Sequence, residues 1–237
     1  MTRTAVVAGV GPGLGASLAR RFAREGCAVA LFARSAEYIE DLAADIRASG
    51  GEALAVPADV GDETAVTDGF EAVRDAFGPV DVLVCHAEHY VEGGLLDISP
   101  ADFEASWRGT AHGAFLCARE AVPDMLDGDG GTVLFTGASF SVRGEPDVLG
   151  PSSAKFAVRG LAEALAREFG PEGVHVAHVT VDGPIDTPTR RENYPDGDPE
   201  DWLDPAEIAA TYWHLVEQDR SAWSFAVDLR PDVADIS

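Results

Sequence analysis

Short apolar runs alternate with longer amphipathic segments along the whole chain. Runs 4–8, 28–32, 53–57, 81–85, 132–136, 174–181 and 224–229 are predominantly apolar and predict strands. Segments 14–24, 36–49, 63–77, 100–125, 152–169 and 205–218 between them carry helical periodicity. Strands that lack apolar–polar alternation are buried on both faces, so the pattern predicts a parallel sheet with helices on each side. No repeat, low-complexity tract or linker divides the 237 residues, so the expectation is a single domain over 1–237. One long irregular stretch, 183–204, is rich in proline and acid and is expected to be a lid over a substrate.

The first strand runs into Ala8-Gly9-Val10-Gly11-Pro12-Gly13-Leu14-Gly15, after which a helix begins. Glycines there allow a tight turn and bring backbone N–H groups and a helix N-terminus against a pyrophosphate. A strand before, a helix after and a βαβ pattern around it are the context that makes such a motif a dinucleotide site. The fold expected is a Rossmann-like, doubly wound α/β sheet of seven parallel strands. The second strand leads into Ala33-Arg34-Ser35. An NAD site places a carboxylate there for the ribose 2′-hydroxyl, whereas an NADP site is served by an arginine. Ala33 with Arg34 therefore favours NADP over NAD.

Charge narrows the partners. Against 41 Asp+Glu stand 17 Lys+Arg, a formal net charge of -24, and Lys155 is the only lysine. Such a surface argues against nucleic acid and against anionic membranes, both of which need basic complements. Acid excess with almost no lysine suggests a halophile, because at molar salt the Debye length is about 3 Å and self-repulsion is screened. No apolar stretch is long enough to span a bilayer, and the short Ala5–Ala8 run does not make a signal-peptide core, so a cytoplasmic protein is expected. Cys27, Cys85 and Cys117 have neither disulfide nor zinc spacing, and His112, His175 and His178 read as structural, so no metal is expected.

These motifs resemble those of the short-chain dehydrogenase/reductase family over nearly the whole chain. Residues 8–15 match its Thr-Gly-x-x-x-Gly-x-Gly, and Asp59-Val60 matches the Asp-Val that touches adenine. Its Asn-Asn-Ala-Gly falls on Cys85-His86-Ala87-Glu88, and its Pro-Gly-x-x-x-Thr on residues 182–187, which keep Gly183 and Thr187. The resemblance implies a cofactor site built from Gly9, Gly11, Pro12, Gly13, Leu14, Arg34, Ser35, Asp59, Val60, Cys85, His86, Ala87, Lys155, Gly183, Ile185 and Thr187. It also implies a homodimer or homotetramer and a small-molecule carbonyl or alcohol substrate.

The family's catalytic set is a Tyr-x-x-x-Lys, a Ser 13 residues before the Tyr, and a helix-four Asn. An ammonium one helical turn from a phenol lowers the phenol's pKa and lets it act as general acid or base. Here Lys155 is kept, the Tyr position is Pro151, the Ser position is Ala138 followed by Ser139, and the Asn position is Thr110. Lys155 and Ser139 remain as candidate catalytic residues. Lys155 has a second use, holding ribose hydroxyls of the cofactor. Possible replacements for the phenol are His86, Ser152, Ser153, Tyr90 and Tyr194, and Glu88 reads as a surface acid. Besides oxidoreductase, two other readings stay open: an NADP-binding sensor or scaffold without redox chemistry, and a lyase or isomerase on the same scaffold.

Overall fold

A computed structural model describes residues 2–232. Seven parallel strands, β1 (Thr4–Ala8), β2 (Ala28–Ala33), β3 (Glu52–Pro57), β4 (Val82–Cys85), β5 (Gly131–Ala138), β6 (Val174–Val181) and β7 (Ala226–Leu229), form one sheet in the order β3-β2-β1-β4-β5-β6-β7. Eight helices accompany them among the described residues: α1 (Leu14–Arg24), α2 (Ala36–Ala48), α3 (Glu63–Phe77), α4 (Pro100–Trp107), α5 (Gly113–Asp127), α6 (Leu149–Phe169), α7 (Pro188–Asn193) and α8 (Pro205–Val216). This is the doubly wound Rossmann-like sheet that the alternation predicts.

Neighbouring residues of one strand serve opposite cores. Val6 and Leu83 pack with Phe32, Phe70 and Phe135 on the face covered by α3, α5 and α6. Val7 and Val84 pack with Leu18, Phe22, Leu31, Ile39 and Tyr212 on the face covered by α1, α2 and α8. A polar residue at either parity would be buried, which is why the central strands β1, β2 and β4 are almost wholly apolar. Among the described residues no helix is long and apolar enough to cross a membrane.

Beyond shifts of one or two residues at element ends, three features differ from the sequence expectation. The helix predicted over 100–125 is interrupted by a π-helical turn, Arg108–His112, between α4 and α5. Thr110 Oγ1 accepts a hydrogen bond from His89 N at 3.1 Å, and a Cβ on Gly113 would lie 2.7 Å from Val60 Cγ2. Close docking on the β3 and β4 loops thus sets the path of the chain here, and such turns recur at functional sites. Helix α6 begins at Leu149 rather than 152, because Gly93 N donates to Asp147 O and Leu149 N to Gly93 O, tying the preceding loop down. Pro151 still lies in the first turn, where its missing N–H is not needed. Stretch 183–204 is not wholly irregular: it holds α7, capped by Thr187 Oγ1 on Arg190 N, and a 3-10 turn at Pro199–Asp201 capped by Asp198.

Strand order reverses between β1 and β4, whose carboxyl ends therefore open into a crevice not closed by a crossover helix.

Candidate functional site

Two connected hollows occupy that crevice. The larger, about 690 Å³, is lined by the turn Gly9–Gly11, by Ala33, Arg34 and Ser35 after β2, by Asp59 and Val60 after β3, and by His86–His89 after β4. The smaller, about 230 Å³, runs along Gly11–Gly15 to His86, Ile185, Thr187 and Thr189. Of the expected cofactor residues, Gly9, Gly11, Pro12, Gly13, Leu14, Arg34, Ser35, Asp59, Val60, His86, Ala87, Ile185 and Thr187 line one or both. Three do not. Cys85 is buried at the end of β4, Gly183 packs against Pro231, and Lys155 lies beneath the surface of the crevice.

The glycines of the turn have different reasons to be there. Gly9 has φ +106°, and a Cβ on it would sit 2.3 Å from Ala87 N. Gly13 is pressed against Thr187 Cγ2, which a Cβ would approach to 2.6 Å. At Gly11 the space that a Cβ would fill is open, with no protein atom within 4 Å, and that space belongs to both hollows. Packing does not demand glycine at 11, whose open side faces the crevice. Helix α1 starts at the same place with no side-chain cap and no acid in its first turn, unlike α3, whose N-terminus is capped by Asp62. An uncapped N-terminus beside a glycine-lined hollow fits a pyrophosphate.

The far end of the larger hollow is cationic. Most arginines of this acidic chain are engaged, as Arg74 is with Glu120 and Asp124, and Arg191 with Asp186. Arg34 and Arg108 line the hollow, and their guanidiniums have no hydrogen bond or ion pair among the described residues. Arg108 was not foreseen: it sits on the π-helical turn, and sequence spacing carries no signal that this turn faces β2 and β3. Asp59 Oδ1 accepts from Gly61 N at 2.9 Å, which orients its carboxylate at the same end.

At the other end stand His86, Glu88 and Lys155. Lys155 is 2% exposed, and its Nζ donates to Thr136 O at 3.0 Å and lies 3.6 Å from Glu88 Oε2. Glu88 is therefore the ion-pair partner of the only lysine rather than an incidental surface acid. Pro151 is buried one helical turn before Lys155. Ala138 closes β5, and its N–H donates to the buried Ser141 Oγ, while Ser139 only opens the turn that carries Ser141. Thr110 is spent on the 89 loop, as described above.

Of the expected replacements for a phenol, His86, Tyr90 and Ser152 are not set up as acids. Burial, reinforced by the Lys155 charge, holds the His86 imidazole down to about 3, so it stays neutral across the physiological range. Its Nδ1 is shielded from solvent and has no partner among the described residues. Partial burial and the carboxylates of Glu92, Glu88 and Glu145 push the Tyr90 phenol up, away from where an acid catalyst is useful. Tyr194 is half exposed with the Arg190 guanidinium 4.7 Å over its ring. The Ser152 hydroxyl is buried and takes a hydrogen bond from Glu145 N.

Residues 3–198 match the model of the short chain dehydrogenases. This chain belongs to that family. A short-chain dehydrogenase/reductase of Armillaria gallica is 34% identical over 190 residues, 78% of this chain and 72% of the relative. Among solved structures, a short-chain dehydrogenase from Rhodopseudomonas palustris superposes with a TM-score of 0.83 at 32% identity, covering 97% of this chain and 98% of that one. An alcohol dehydrogenase from the archaeon Thermococcus sibiricus, complexed with 5-hydroxy-NADP, reaches a TM-score of 0.89 at 26% identity over the whole of both chains.

In this member of the family His112, His175 and His178 pack as structural residues, with one consequence. His175 stacks on Trp223 with ring centroids 4.8 Å apart, and His112 stacks on Trp107. His178 is fully buried behind Gly137, and burial with Arg159 and Lys155 holds its imidazole down to about 4. The unfolded chain protonates near 6.5 and the folded one near 4, so acid favours unfolding. The stabilisation is complete above pH 6.5 and is lost as pH falls toward 4, in total about 3 kcal/mol at 1.36 kcal/mol per unit. In His178→Gln, urea midpoints measured from pH 7 to pH 4 should fall less steeply than in the parent. Parallel slopes would remove His178 from the account.

Proposed function

We propose that this chain is an NADP-dependent oxidoreductase acting on a carbonyl or alcohol of a small molecule. The observation that carries it is the pair of unengaged guanidiniums, Arg34 and Arg108, lining the hollow where Ala33 supplies no carboxylate. A 2′-phosphate has the charge and the acceptor oxygens that two such groups bind. The solved structure with 5-hydroxy-NADP supports the same choice.

In this reading Asp59 and Val60 border the adenine, Gly11–Leu14 and the start of α1 hold the pyrophosphate, and Ile185 and Thr187 border the nicotinamide end. The nicotinamide, when bound, donates or accepts the hydride. Residues 183–204, with α7, cover the substrate and exclude water. Pro151 occupies the phenol's position with no titratable proton, so proton transfer at the substrate oxygen falls to another group or to water. That same observation favours the second reading, an NADP-binding protein without redox turnover. The exposed Phe103, Trp107 and Phe115 on α4 and α5 support a homo-oligomer joined through those helices. The acid excess supports work at high salt.

The deciding experiment measures NADPH and NADH binding, melting temperature, and NADPH oxidation over a panel of carbonyl compounds, all across a KCl series up to molar concentration. Tighter binding of NADPH, turnover of at least one carbonyl and a melting temperature that climbs with KCl are expected. Binding without turnover selects the second reading. Equal affinity for the two cofactors overturns the NADP assignment, and a flat melting curve overturns the high-salt one.

A further inference from the structure

We propose that Glu88, held by the Lys155 ammonium, is a clamp for the second ribose of the dinucleotide, its carboxylate accepting hydrogen bonds from the two vicinal hydroxyls. This rests on the NADP reading and assigns Glu88 a place in it. The strand order β3-β2-β1-β4 sets the lining loops across the crevice in sequence: Asp59 and Arg34 after β3 and β2, then Gly11 and the start of α1 after β1, then His86, Ala87 and Glu88 after β4. With an adenosine at the first and a pyrophosphate at the second, the second nucleoside lies against the third.

Glu88 is a carboxylate in a crevice that must take a polyanion, an arrangement that opposes binding unless the charge is neutralised and the oxygens are used. Both conditions are met at this point. Lys155 supplies the opposite charge 3.6 Å away, and its ammonium is anchored by Thr136 O at 3.0 Å. A carboxylate has about four acceptor sites and an ammonium three donors, so the pair has capacity left after bonding each other. The Glu88 side chain is 27% exposed, whereas that of Lys155 is 3% exposed, so the carboxylate is the member that reaches the hollow. A carboxylate is the group that grips a ribose diol in NAD sites. Here it is absent from the first ribose, where Ala33 stands, and present at the second. The buried ammonium, with no phenol at Pro151, is held in place by the same contact.

The test compares two ligands by calorimetric titration: NADP+, which carries the second ribose, and adenosine 2′,5′-bisphosphate, which does not. Glu88→Gln keeps the shape and removes the charge. It should weaken NADP+ about tenfold, the size of a lost charge-assisted hydrogen bond, and leave the bisphosphate within twofold. An NADP+ analogue with a 2′-deoxy nicotinamide ribose, titrated on the unaltered protein, should lose a similar factor and lose little more on Glu88→Gln. If Glu88→Gln lowers the melting temperature while the ratio of the two affinities is unchanged, Glu88 is only the counter-ion of Lys155 and the clamp is refuted. Should that variant fail to fold, undiminished affinity for the deoxy analogue on the unaltered protein refutes it equally. If the unaltered protein binds neither ligand, the NADP reading itself falls; binding of the bisphosphate with no further gain for NADP+ removes the clamp alone.

Discussion

Replacing Arg34 and Arg108 together by alanine should weaken NADPH by about two orders of magnitude and leave NADH nearly untouched. Charge-assisted hydrogen bonds contribute about 1.5–3 kcal/mol each. Both arginines are exposed at the rim of the hollow, so the lower value applies to each. Two such losses come to about 3 kcal/mol, which is roughly a hundredfold in affinity. NADH has no 2′-phosphate, and the guanidiniums then face only neutral hydroxyls. Each single variant should lose about tenfold, with Arg34 and Arg108 additive if they grip different oxygens. Titrations at a fixed molar KCl concentration keep the comparison fair, because contact pairs survive screening that removes longer-range attraction. A double variant that loses NADPH and NADH alike would mean that the arginines shape the hollow rather than read the phosphate.

The larger gain is expected from restoring the phenol. Lys155 lies one turn after Pro151 on α6, so a tyrosine at 151 would stand beside an ammonium able to depress its pKa. Pro151→Tyr with Ala138→Ser should raise carbonyl reduction by about 10²–10⁴-fold, the usual worth of general acid–base help. Losing a proline at a compatible helix start costs about 1 kcal/mol, and fitting a ring where Pro151 is buried about 1–3 kcal/mol more. A domain stable by about 5–15 kcal/mol tolerates that sum. The gain should vanish when Lys155→Ala is added. A double variant that folds, binds NADPH and reduces no member of a broad panel faster than the parent would show that the pocket no longer accepts a hydride acceptor, and the non-redox reading would be preferred.

Gly9, Gly11 and Gly13 were legible as a tight strand-to-helix turn at the crevice because a strand–glycine–helix succession is local, and so was the pairing of Ala33 with Arg34. The break in helix 100–125 was not, since it is made by Gly113 closing on Val60 and by Thr110 bonding the 89 loop, contacts between segments far apart in the chain. The same reason hid Arg108, whose position on that turn turns it toward the β2 and β3 loops. Glu88 looked like one acid among many, for nothing in its neighbourhood along the chain announces a lysine 67 residues later.

By itself the sequence determined the layered α/β sheet, its two cores and the glycine turn, because strand and helix periods and glycine's backbone freedom act over a few residues. Only the tertiary structure decided which side chains share the crevice and in what state. It left Arg34 and Arg108 unengaged, set Glu88 against Lys155 and kept His86 neutral. Those outcomes depend on burial and charge at distances of a few ångströms between residues from different strands and helices, which no spacing in the chain encodes.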